Sequence, residues 1–121
     1  MKKLLLICVF SVTLPNIAFA KCDGGREIKS TADNHVYCVS NNKAMNWWSA
    51  FAWCKANERR LATIEEVCNN RGWANGCGGL NGAGDVWLWT ATPYGDDSAY
   101  DVHWGTVATP PRKNNHAALC Y

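Results

Sequence analysis

Seven cysteines stand in a chain of 121 residues, and six of them (Cys22, Cys38, Cys54, Cys68, Cys77 and Cys120) fall after residue 20. An even count in a short exported chain reads as a disulfide framework, here three bridges, with fifteen connectivities open to the sequence alone. Metal binding is the competing use of cysteine. It is disfavoured because the chain has no C-x-x-C pair. The export that bridges require is written at the start of the chain. Met1, Lys2 and Lys3 make a basic opening, residues 4–14 are apolar, Pro15 breaks the run, and Ala18-Phe19-Ala20 is the small-x-small pattern of a signal peptidase site. The apolar run is too short to span a membrane. A lipid anchor is disfavoured too, since Lys21 precedes Cys22 and Ile7 precedes Cys8 where a small residue is wanted. The expected products are a signal peptide over 1–20 and a single domain over 21–121. That domain would be secreted, periplasmic or on the cell surface, with no integral membrane segment after cleavage.

Lys2 and Lys3 also account for the formal net charge of +2, because ten basic and ten acidic side chains follow residue 20. A balanced chain without a basic cluster is a poor binder of nucleic acid or anionic membrane, which both select for dense Lys and Arg. Disorder is excluded by seven Trp and four Tyr, enough for a substantial core. A domain of this size buries only about two-thirds of its unfolded surface, so covalent bridges add needed stability.

The first arm reads as a hairpin: a short run through Ile28, a polar turn at Thr31-Ala32-Asp33-Asn34, and a β-rich return over His35-Val36-Tyr37-Cys38-Val39, with Cys22 and Cys38 placed to tie it. A helix follows, with Asn46 as its cap and Trp47, Ala50, Phe51 and Cys54 at i, i+3, i+4 and i+7. Thr63-Ile64-Glu65-Glu66 is a capping box that opens a second helix, whose apolar face is Ile64, Val67 and Cys68 and which Asn70-Arg71-Gly72 ends. Residues 71–85 hold six glycines and read as irregular backbone. A strand is expected over 86–92, then a turn at 93–97. A return over 98–104 alternates Tyr100, Val102 and Trp104 against Asp101 and His103, and a short final strand runs through Cys120.

Taken in order, several motifs resemble a compact C-type-lectin-like domain of the kind carried by bacterial surface or secreted proteins. They are Trp47-x-x-Ala50-x-x-x-Cys54, Arg60-Leu61-Ala62-Thr63-x-x-Glu66, Trp87-x-Trp89-Thr90, Ala99-Tyr100-x-Val102 with Trp104-Gly105, and the stretch from Asn115 to Cys120. The match covers about residues 45–121. The resemblance implies an α+β fold, two helices packed on a small, mainly antiparallel sheet with long loops. It also implies a bridge from the first helix to the last strand, Cys54 to Cys120, and one across the N-terminal hairpin, Cys22 to Cys38. Cys68 and Cys77 then remain as the third pair, because the family's usual bridge between two late strands has no counterpart here. The calcium-binding motifs of the family's sugar binders are also missing. The corresponding stretch reads Thr109-Pro110-Pro111-Arg112-Lys113-Asn114-Asn115, with two cations and no carboxylate. That is the wrong charge for a calcium ion, so neither a calcium site nor any other metal or cofactor is expected.

Patterned positions assign Trp47, Trp87, Trp89 and Trp104 to the core. Trp48 and Trp53 lie off the centre of the helix stripe, so one of them is expected to be partly exposed. Trp73 sits in the glycine-rich loop, where an aromatic either stacks on a ligand or covers the core. Asp96 and Asp97 read as a solvated turn, and Glu65 and Glu66 as helix capping. His35, His103 and His116 are far apart in sequence, and no recognisable nucleophile accompanies them, so a catalytic triad is not expected. The candidate ligand-binding residues are Trp73, Asn75, Tyr94, Arg112, Lys113 and Asn114, from the loops at 71–85, 93–97 and 105–115. The functional expectation is a non-enzymatic, calcium-independent recognition module of adhesion type, binding a glycan or a protein surface. Two alternatives stand beside it: a structural subunit of a surface fibre or secreted complex, oligomeric in that case, and an enzyme using reactive cysteines, as in an oxidising family that shares a variant of this fold.

Overall fold

A computed structural model describes residues 19–68 and 77–121. Nearly all of the leader, the end of the second helix at 70–72, and Trp73 and Asn75 therefore lie outside the described residues. Strand β1 (Gly25–Lys29) turns back into β2 (Val36–Ser40), in register from Gly25 opposite Ser40 to Lys29 opposite Val36. Gly25 has no room for a side chain: a Cβ there would press on the Val39 carbonyl and on the Trp53 ring. Gly25→Ala is expected to destabilise the protein by about 1–3 kcal/mol, read from urea denaturation.

Strand β3 (Leu88–Tyr94) turns at 95–97 into β4 (Ser98–His103), β4 pairs with β5 (Thr106–Ala108), and β6 (Ala117–Cys120) closes the chain. The six strands lie in the order β1-β2-β6-β3-β4-β5. β6 enters the middle, antiparallel to β2 but parallel to β3, so the sheet is mixed.

Helix α1 (Trp47–Ala56) starts where Ser49 N donates to the Asn46 side chain at 2.9 Å. Helix α2 (Ile64–Val67) has the expected capping box. Thr63 Oγ1 accepts from Glu66 N at 3.2 Å, and Glu66 Oε1 accepts from Thr63 N at 2.9 Å. A 3₁₀ segment covers Gly78–Ala83.

Strand side chains alternate between the two faces of the sheet. Tyr37, Val39, Leu88, Tyr100, Val102, Ala117 and Leu119 share one cluster with Ile64 and Val67 of α2 and with Leu80 and Ala83 of the 3₁₀ segment. Cys38, Trp89, Ala99, Ala118 and Cys120 share another with Ala50 and Cys54 of α1. The two helices thus cover opposite faces. Cys22 is bonded to Cys38, Cys54 to Cys120 and Cys68 to Cys77, with Cα–Cα distances of 5.6, 5.4 and 4.2 Å. The first closes the hairpin arm, the second ties α1 to the central β6, and the third joins the end of α2 to the start of the 3₁₀ segment.

Four expectations need correction. β3 begins at Leu88, not Val86, and runs on through Pro93 and Tyr94. Trp104 is not a core residue: β4 ends at His103, and the chain turns through Trp104 (φ 46°) and Gly105 (φ 83°), leaving the indole 58% exposed. Asp101, placed by alternation on a polar face, is 1% exposed, because its face of the sheet is the one α1 covers. Phe51, assigned to the buried stripe, is exposed; Ala50 and Cys54 reach the sheet, and Trp47 packs at the margin. Trp48 is the more exposed of the two tryptophans set off the stripe, and Trp53 is half-buried.

Candidate functional site

The loop after β5 is fixed to the sheet by pairing with both of its neighbours. Ser98 bridges to Pro111 and Met45 to His116. Between these points Arg112 acts as a latch. Its amide donates to the Asp97 carbonyl at 2.8 Å, and its carbonyl accepts from Trp47 N at 3.0 Å. Its guanidinium donates through Nε to the Ser98 carbonyl and through Nη2 to the Gly95 carbonyl, each at 2.9 Å. The same group lies 4.5 Å over the Trp47 ring, a cation–π contact strengthened by partial burial. Trp47 is itself pinned, since its indole N–H donates to the Thr90 carbonyl at 2.8 Å and Phe51 meets the ring edge-on at 4.6 Å. Three segments are locked together in this way: the first turn of α1, the β3–β4 turn and the 110–113 loop.

Their outer surfaces enclose a depression of about 430 Å³ lined by Trp48, Asp96, Asp97, Pro111 and Lys113. Trp48 is 55% exposed at its rim. On the other side of that indole lies a second depression of about 410 Å³, lined in part by Phe51, Lys55, Arg59 and Arg60. Two of these cations are already engaged. Arg59 donates to the carbonyls of Lys21, Val36 and Tyr121 and pairs with Glu27, and Arg60 pairs with Glu66 at 2.5 Å. Trp48 is therefore a ridge between a mixed-charge depression and a largely apolar one. Chemically the surface offers a flat apolar face, two carboxylates and an ammonium on a rigid base.

Of the residues singled out from the sequence, the structure brings Arg112 and Lys113 to this place, Arg112 as the latch and Lys113 in the lining. Asn114 is exposed, and its amide donates to the Pro111 carbonyl at 3.0 Å. Tyr94 lies elsewhere: it meets Tyr100 edge-on at 5.4 Å and lines a separate depression of about 450 Å³ beside residues 105–109. Trp73 and Asn75 lie outside the described residues. Trp48, Asp96 and Asp97 were not among the candidates. The available signal was the Trp47-Trp48 pair at the start of α1, because on a helix only one of two adjacent side chains can face the sheet.

A second group of polar side chains is buried under α1. Asp101 Oδ2 lies 3.5 Å from His116 Nε2, and among the described residues Asp101 Oδ1 and His116 Nε2 have no hydrogen-bond partner. Burial pushes the Asp101 carboxyl up to about 7, against the downward pull of its own amide, the Ala108 amide and His103. Burial likewise lowers the pKa of His116. His103 and His116, distant in sequence, both pack against Trp87, with centroids at 4.6 and 6.3 Å. His35 is apart from them, stacked on Tyr121 at 3.7 Å. Among the described residues no three His, Cys, Asp or Glu side chains converge to hold a metal ion.

No protein family, no curated protein and no solved structure matches this chain. Among the described residues no helix is long and apolar enough to cross a membrane, and three disulfides fit an oxidising compartment.

Proposed function

We propose that this protein is an exported, non-enzymatic recognition module that binds a glycan or a protein surface without calcium. One observation carries the reading: Trp48 is left more than half exposed between two depressions, on segments that Arg112 locks together. A large aromatic kept in water beside fixed polar groups is the usual anchor of a binding surface. The C-type-lectin-like resemblance supports the same reading. A bridge from the first helix to the last strand, an α+β layout and long loops on a rigid base are what that family would have. Calcium independence is what the resemblance leads us to expect, since the stretch where calcium-dependent members hold the ion carries Arg112 and Lys113 here and no carboxylate. The leader and the three bridges support secretion, to the periplasm, the cell surface or beyond.

The test is binding of mature protein to a glycan array and to host-cell surfaces, with and without EDTA. Binding is expected to survive the chelator and to fall at least about 10-fold in Trp48→Ala, the loss typical of a central aromatic anchor. Arg112→Ala is expected to weaken it by loosening the loop, and Trp73→Ala and Asn114→Ala probe the remaining loop contacts. Binding abolished by EDTA, or unchanged in Trp48→Ala, overturns the assignment.

A structural role in a surface fibre or secreted complex is the second reading. Phe51, exposed one turn after Trp48, favours it by extending the apolar strip along α1. Light scattering separates the two. A monomer at all concentrations supports free recognition, and an oligomer dissolved by Phe51→Ser supports assembly.

A further inference from the structure

Trp87, His103 and Trp104 form a column of rings at the end of the sheet away from the β3–β4 turn. The Trp87 and His103 centroids are 4.6 Å apart with planes at 20°, and those of His103 and Trp104 are 4.7 Å apart at 26°. The inner end of the column is closed, since Trp87 is half-buried and packs against His116. Its outer end is open, because Trp104 is the most exposed tryptophan among the described residues. Asp85 stands at the edge of the column. Its carboxylate is 2.5 Å from His103 Nε2 and otherwise largely in water.

The backbone that presents Trp104 is strained. A φ of 46° is an outlier for a bulky side chain. The next residue is Gly105, at φ 83°, where a Cβ would sit 3.3 Å from Gly78 Cα. Such strain persists only where the surroundings enforce it, and it collects at ligand sites. Core packing does not require it here, since the indole points into solvent.

We propose that Trp104 is a stacking platform for the apolar face of one neutral sugar ring, with the Asp85 carboxylate accepting hydrogen bonds from its hydroxyls. The proposal rests on the recognition reading but uses a surface remote from Trp48. Size selects the occupant. A single indole buries at most about 150–250 Å², whereas a stable protein partner needs about 800 Å² on each side. The residues known to flank it are small or polar: Asp85 at the edge of the column, and Gly105 and Thr106 next along the chain. A pyranose meets both conditions, with flat C–H bonds over the ring and hydroxyls directed outward. An acidic sugar is repelled by Asp85, so the preference is for a neutral one.

The experiment titrates mature protein with N,N′-diacetylchitobiose, maltotriose and the acidic sialyllactose, following the indole N–H resonances by NMR. At least one neutral probe is expected to shift the Trp104 resonance, with sialyllactose weaker. Trp104→Ala should lose that binding at least 10-fold, Asp85→Asn should lose it several-fold, and Trp104→Phe should keep most of it. Near-UV circular dichroism checks that each variant is folded. If neither neutral probe moves the Trp104 resonance, or if Trp104→Ala binds like wild type, the platform is refuted. Self-association lost in Trp104→Ala would refute it as well, by making the ring a contact between copies. Each of these results leaves the Trp48 test of general recognition standing on its own.

Discussion

Replacing Cys54 and Cys120 together by Ala is expected to lower stability by about 4.4 kcal/mol, the largest loss among the three paired replacements. The bridge spans 66 residues, against 16 for Cys22–Cys38 and 9 for Cys68–Cys77. Loop-closure entropy then sets the other two losses near 3.1 and 2.6 kcal/mol. Packing acts in the same direction. Cys54 and Cys120 are fully buried on the α1 side of the sheet, so truncating both leaves a cavity where α1 meets the central β6. Net stability of a domain is about 5–15 kcal/mol, so this variant should be at the edge of folding at 37 °C. Thermal unfolding of the three double variants measures the order, and equal losses for all three would overturn the loop-length argument.

Asp101→Asn should raise stability at neutral pH and leave it nearly unchanged in acid. In the folded protein the carboxyl keeps its proton up to about pH 7, whereas in the unfolded chain it releases it near 3.8. The stability this group contributes is therefore full below about pH 4, declines as pH rises through about 7, and is flat above that. The interval from 3.8 to about 7 corresponds to about 4 kcal/mol. Asn has the shape of the protonated acid and cannot ionise. The variant should match wild type near pH 4 and exceed it by up to about 4 kcal/mol near pH 8. His116 acts in the opposite sense: its folded pKa is depressed by burial, so its contribution is present above the usual histidine value and lost as pH falls through the lowered one. It is present in both proteins, so the comparison isolates Asp101. Urea denaturation of both proteins across this pH range is the measurement. A stability difference that does not change with pH would mean that Asp101 titrates as a solvated acid.

Local chemistry made several parts of this architecture legible in advance. Asn46 and Thr63 mark the two helix starts because their side chains accept from amides three residues on, which involves no distant contact. The turn at 31–34 and the alternation along β2 are local in the same way. The hairpin bridge and the bridge from α1 to the last strand agree with the pairing that the lectin-like resemblance implies.

The site was less legible, because exposure at a given position depends on what the fold lays against it. Period-two alternation places Asp101 and Trp89 on one face, but only the docking of α1 on that face buries the carboxyl. The same alternation carries Trp104 into the core, yet the strand ends one residue earlier, where β4 must turn to pair with β5. Arg112 reads from the sequence as a candidate ligand-binding residue, and it becomes a latch only because the β3–β4 turn and the first turn of α1 arrive within 3 Å of it. The sequence by itself determined the helix caps and the hairpin, since each depends on neighbours along the chain, while its even cysteine count pointed to three bridges without choosing among fifteen pairings. Which aromatics stay in water, and which charges are buried, was decided only by the tertiary structure, through the order in which six strands and two helices come together.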